Sequence, residues 1–171
     1  LHFSSIPLLN NIRMSLIEIP KEYGYAILVA LAFWIQQAVI FVIPVILQRG
    51  KTGIKAPVLY PNDKLVSSLD LKESQVDAYM RAQRVHQNNV EFLSIFFPMY
   101  LLACLENPVH AAAAGALVWT GRMITALGYW ISTKSRIYGA WFHIPELYIM
   151  FLVGRMGFRL VSEMVASGNG F

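Results

Sequence analysis

At 171 residues the chain makes one ordinary domain and leaves no room for a second catalytic module. Hydrophobic residues make up 56% of it, against the ~45–50% usual in soluble domains, and only 14% are charged, which argues against a water-soluble fold. The net charge of +4 is spread over loops and helix ends with no basic run interleaved with aromatics, which excludes a nucleic-acid surface, and the single cysteine, Cys104, excludes an intrachain disulfide.

Residues 1–19 read as an N-terminal extension, targeting or interfacial. "LHFSSIPLLNNIR" is too short, and too broken by Pro7 and Asn10, to span a membrane, and Met14 is an alternative start. Residues 20–161 form the expected membrane domain. Its first span is predicted at 23–48, because residues 25–47 carry no charged side chain and a span needs ~20 apolar residues. Pro44 is expected to kink its end. A polar connection with glycines, prolines and charges of both signs follows; its later part, "LVSSLDLKESQ", suits a short helix. The second helix is predicted at 77–105, with a tight turn at Glu106–Pro108. The third is predicted at 109–131, opening on an alanine run that permits close helix contact. The fourth is predicted at 138–161, before a tail at 162–171.

Four spans joined in this way predict an all-α, integral membrane, antiparallel four-helix bundle. The first and third loops hold Arg49, Lys51, Lys55, Lys64, Lys72, Lys134 and Arg136, whereas the second holds no lysine or arginine. The positive-inside rule therefore places the first and third loops in the cytosol or its equivalent.

The second helix contains a contradiction. "RVHQNNVEFLSIFFPMYLLACL", residues 84–105, puts arginine, histidine, asparagine and glutamate where lipid is expected. Ionisable groups inside a membrane helix cost ~2.5–3.5 kcal/mol even on the lenient insertion scale. Arg84, Asn88 and Glu91 recur at i, i+4 and i+7 and share one face, with Gln87 beside them and His86 on the opposite side. On the third helix Arg122, Thr125 and Tyr129 share a face, and Arg136 continues it if the helix runs on. Two readings follow. One is a buried polar network that holds helices or subunits together, of which an arginine paired with glutamate is a common form. The other is a polar pocket opening toward the first and third loops, suited to a ligand with carboxylates and an ammonium group. His143 and Glu146 have a metal-compatible spacing, but without a second such pair we assign no metal site. His110 is expected at an interface, Tyr148 and Arg155 are compatible with a pocket or an interface, and Cys104 is expected to be a small packed hydrophobe.

"RVHQNNVE", residues 84–91, resembles the R-A-H-Q-N-x-x-E signature of the type 3 microsomal glutathione transferases. These belong to the family of membrane-associated proteins in eicosanoid and glutathione metabolism (MAPEG). "KEYGY" before the first span is similar to the start of type 3 members, and "GRMITALGYW" resembles the family's G-R-x-x-Y-x-x-G-Y segment. The resemblance implies a homotrimer of four-helix subunits in the endoplasmic reticulum, with glutathione as cosubstrate between adjacent subunits near the cytosolic face. Arg84, His86, Asn88 and Glu91 would hold glutathione, joined by Arg122 and Tyr129, and Arg136 would stand against its sulfur as the catalytic residue. The implied activity is glutathione transfer, or glutathione-dependent peroxide reduction, on hydrophobic, lipid-borne electrophiles. Thr125 stands where the family has tyrosine, and Phe92 where several relatives do. The alternatives are a non-catalytic lipid-binding scaffold and a structural accessory subunit of a larger membrane complex. Mitochondrial and plastid membranes stay open as locations.

Overall fold

A computed structural model describes residues 19–168, so the expected extension, apart from Ile19, and the last three residues of the tail lie outside the described residues. All regular structure among the described residues is helical. The first apolar segment is helix α1, Tyr23–Ile35, then a π turn, Gln36–Ile40, then α2, Val42–Thr52. The backbone irregularity thus precedes Pro44, although a kink was expected at the segment's end. Proline clashes with the carbonyl four residues back, here that of Ile40, and the π turn ends at that residue. The helix outlasts residue 48 because Arg49 and Lys51 suit the negative end of its dipole, and it stops at Gly53, which has φ 71°.

Asn62 caps the short helix α3, Asp63–Ser68, its side-chain oxygen accepting from the Leu65 N–H at 2.9 Å. The long helix α4 covers Glu73–Glu106, four residues earlier than expected, because the Gln75 side chain folds back to accept from the Lys72 N–H. Helix α5, Pro108–Ile131, starts on a proline, whose missing N–H costs nothing at that position.

The fourth helix departs most from expectation. Residues 138–142 are not its first turns but belong to a 3₁₀ segment, Ser135–Phe142, and helix α6 runs from His143 to Ala166, beyond residue 161. The cause is a backbone-to-backbone contact with α5. A Cβ on Gly128 would stand 2.8 Å from the Ser135 carbonyl carbon, and one on Gly139 would overlap Thr125 and the Gly121 carbonyl. Only glycine fits at both positions, and the chain lies flush on α5 before turning into α6.

Helix α5 packs against α1, α4, α6 and the 3₁₀ segment. The core is aromatic: Phe33, Phe96 and Tyr100 are buried, and the Tyr100 hydroxyl donates to the Ala26 carbonyl at 2.9 Å. Trp119 is tied to α1 through its indole N–H, which donates to the Ala32 carbonyl. The outside is apolar as well; Leu28, Trp34, Ile95, Ile131 and Phe158 are each more than 60% exposed. Such a surface suits lipid and not water. Tyr23–Thr52, at 30 residues, and Glu73–Glu106, at 34, are long and apolar enough to cross a membrane.

Candidate functional site

Between the turn that opens α2, the first half of α4 and the second half of α5 lies a cavity of about 270 Å³. Helix α4 contributes Arg84, Asn88 and Glu91, α5 contributes Arg122, Thr125 and Tyr129, and the 3₁₀ segment contributes Arg136. Phe41, Val85 and Ala126 form an apolar cluster beneath them. The polar face of α4 exists because residues four and seven apart stack on one side of a helix. Arg136 arrives by a different route from the expected one. Helix α5 ends at Ile131, and Arg136 reaches the cavity because the contact at Gly128 folds the chain back, leaving its guanidinium 6.0 Å from the Tyr129 ring centre.

Arg122 is the buried member, only 6% exposed. Its Nε donates to Asn89 Oδ1 at 3.0 Å, and the Asn89 amide donates to Gln37 Oε1 at 2.8 Å, a polar chain across α5, α4 and the π turn. The Phe92 and Phe142 ring centres lie 4.5 and 5.2 Å from its guanidinium carbon, and since those rings meet edge to face 5.4 Å apart, the group rests in the corner they make.

Charge pairing in this cavity is incomplete. Among the described residues no carboxylate lies within 4.0 Å of Arg84, Arg122 or Arg136; the ion pairs that form lie elsewhere. The Glu91 carboxylate accepts from the Gln87 amide at 3.1 Å. The Arg122–Asn89–Gln37 chain is a buried network that ties helices together, but no arginine–glutamate pair forms in it, and Arg84, Arg136 and Glu91 stay outside it. Three guanidinium groups face one carboxylate, which favours an anion with a single cationic group.

A wider cavity of about 940 Å³ shares Asn88, Glu91, Arg122, Thr125 and Arg136 with the first. Its other wall is mixed, with Phe92, Ile95, Ile137 and Phe142 on the apolar side and Thr133, Lys134 and His143 on the polar one. Ile95 and Ile137 are 74% and 70% exposed on the outside of the bundle, so this cavity leads from the polar cluster to the lipid-facing surface.

Of the residues predicted from sequence, Arg84, Asn88, Glu91, Arg122, Tyr129 and Arg136 line the first cavity together. His86 lines neither; it is half-buried on another side of α4. Thr125 reaches the wall, but its hydroxyl donates to the Gly121 carbonyl of its own helix. His143 and Glu146 bond each other at 2.6 Å, and Cys104 is buried in the core. Asn89, Gln37, Phe41 and Phe142 were not anticipated. Asn89 carried a signal, as a second asparagine beside Asn88, and so did Gln37, one of two adjacent glutamines in the otherwise apolar stretch 25–47.

A model of the MAPEG family matches residues 25–158 of the chain. An uncharacterized protein of Synechocystis sp. is 30% identical over 106 residues. That similarity covers 61% of this chain and 66% of the relative, just under two thirds of its length.

Proposed function

The chain belongs to the MAPEG family, a membrane family, and on that premise we propose that it is a glutathione transferase or glutathione-dependent peroxidase acting on hydrophobic electrophiles carried in lipid. One observation carries this reading: three guanidinium groups, none with a carboxylate within 4.0 Å among the described residues, gather with one carboxylate around a single cavity. Glutathione has two carboxylates, one ammonium group and a thiol, and its thiolate form adds a third negative charge. Arg84 and Arg122 would take the carboxylates, Glu91 the ammonium, and Asn88 and Tyr129 the neutral polar groups.

Arg136 would face the sulfur. A free thiol with a pKa of ~8.5 is mostly protonated at neutral pH, and an adjacent guanidinium favours the thiolate. The nucleophile thus comes with the cosubstrate. In transfer, the thiolate sulfur bonds to an electrophilic carbon as a leaving group departs with its electron pair, or as the π pair of an unsaturated acceptor moves away and takes a proton. In peroxide reduction it attacks oxygen, the O–O bond breaks, the leaving alkoxide takes a proton, and the glutathione sulfenic acid that remains reacts with a second glutathione thiol to give the disulfide and water. The wider cavity, with Phe92, Ile95 and Ile137, would receive the second substrate from the bilayer.

The reading includes type 3 character, four spans with the first and third loops in the cytosol, a homotrimer and residence in the endoplasmic reticulum. In a trimer His86, off both cavities of its own chain, would meet a neighbouring subunit. One observation favours binding without chemistry: the Thr125 hydroxyl is used by its own helix, so the cavity lacks the donor that the family's tyrosine supplies. That is the lipid-presenting reading.

The deciding experiment is a glutathione titration of the purified protein, with bound thiolate followed by ultraviolet difference absorbance across a pH series. We expect saturable binding and a bound thiol pKa lowered by about two units, worth ~2.7 kcal/mol. Arg136→Ala should raise that pKa while leaving affinity nearly unchanged. Binding with an ordinary thiol pKa in the wild type discards the enzyme and keeps the ligand site.

A further inference from the structure

Between α2 and α3 the chain runs through a ten-residue loop, residues 53–62, that holds two prolines and a single charged side chain, Lys55. Exposed loops of this kind usually move, yet this one is tied down along its length. Ile54 is buried at 1% exposure. Arg49 donates to the Ile54 carbonyl at 3.3 Å and to the Val58 carbonyl at 2.9 Å. The buried Tyr79 of α4 donates to that same Val58 carbonyl at 2.8 Å, and the Arg49 guanidinium lies over the Tyr79 ring. Two helices therefore clamp one loop carbonyl.

Two residues beyond that clamp is Tyr60. Its ring lies 5.2 Å from the guanidinium carbon of Arg84, and its hydroxyl donates to the Gln87 side-chain oxygen. Gln87 in turn donates to Glu91. One loop side chain thus touches Arg84 directly and reaches Glu91 through a single intermediate, the two oppositely charged groups on the α4 wall. Tyr60 does not itself line either cavity.

We propose that Tyr60 is a positioning residue of the binding site: the clamped loop presents it so that its ring holds the Arg84 guanidinium, and its hydroxyl, through Gln87, orients the Glu91 carboxylate. A long arginine side chain on an exposed helix face samples many rotamers, and ordering it on binding weakens affinity. A ring stacked on one face of the guanidinium removes much of that freedom and leaves its edge N–H groups for a carboxylate. The amide of Gln87, fixed by Tyr60, does the same for the carboxylate that would meet an ammonium group. This inference rests on the reading of the cavity as a glutathione site.

The test is a double-variant cycle read by glutathione titration of the full chain, with circular dichroism and size in detergent as fold controls. Tyr60→Leu should weaken binding roughly tenfold, about what one or two modest contacts supply. Tyr60→Phe, which keeps the ring and loses the hydroxyl, should fall between. On an Arg84→Ala background Tyr60→Leu should cost much less, because its main partner is gone. A merely structural tyrosine would give the same loss in both backgrounds, and that additivity overturns the inference, as does unchanged affinity in Tyr60→Leu. If Tyr60→Leu fails the fold controls, the Tyr60→Phe pair decides by the same criterion through Glu91→Gln. A wild-type chain without saturable binding overturns the glutathione reading and this inference with it; wild-type binding with an inert Tyr60 overturns this inference alone.

Discussion

Replacing Asn89 by leucine, similar in size, tests whether the buried polar chain holds Arg122 in place. Asn89 is fully buried; it accepts from Arg122 Nε at 3.0 Å and donates to Gln37 at 2.8 Å. The substitution removes both bonds with little change in volume, so cavity terms stay small. A hydrogen bond to a charged group contributes about 1.5–3 kcal/mol and a neutral one about 0.5–1.5 kcal/mol. The expected loss is therefore about 2–4 kcal/mol, or roughly 5–15 °C in Tm for a chain of this size. Asn89→Asp keeps an acceptor for Arg122 but turns a carboxylate oxygen toward Gln37 Oε1, and should lose less. Thermal unfolding in one fixed detergent gives the order wild type, Asp, Leu. Glutathione titration should give the same order, since an untethered guanidinium no longer points into the cavity. An Asn89→Leu protein that unfolds within about a degree of wild type and binds equally well refutes the argument.

Gly128→Ala should destabilise the chain by about 1–3 kcal/mol, the usual cost of forcing an extra methyl group into a packed contact. The added carbon meets Ser135 and Arg136 backbone, not a flexible side chain, so the bound-thiolate absorbance should change as well. In the topology proposed above, cysteines placed at Lys55 and Lys134 in a Cys104→Ala background should label from one side of the membrane, and one at Lys21 from the other. The Tyr23 hydroxyl bond to the Leu105 carbonyl puts Lys21 at the far end of α4. Labelling of Lys55 and Lys134 from opposite sides would exclude four spans.

The polar face of α4 was legible because charged residues at helical spacing stand out in an apolar stretch. Arg136 was legible for a reason that does not hold: the face was extended along a continuing α5, whereas the chain leaves the helix at Ile131 and returns through a contact between glycines and backbone. Spacing cannot express such a contact. Asn89 escaped because it lies one residue, and so about 100°, off the face of Asn88. Its partners are 33 and 52 residues away in the chain. Tyr60 escaped for a similar reason, since loop residues carry no periodicity to show which helix they lie against.

The π turn at Gln36–Ile40 sets a constraint on chain length. Its closing bond, from the Phe41 N–H to the Gln36 carbonyl at 2.9 Å, spans five residues where an α-helix spans four. One residue of an α-helix turns the chain by about 100°, so this surplus residue fixes the angle at which everything after it faces the bundle, beginning with Phe41 on the cavity wall. Removing Val39, which is 39% exposed, would delete a side chain on the outside and still rotate α2 against α4, taking Phe41 off the wall and Arg49 away from the loop it clamps. A gap of one position in this stretch of an alignment therefore marks a relative whose cavity has a different floor, even where every polar residue of the site is the same.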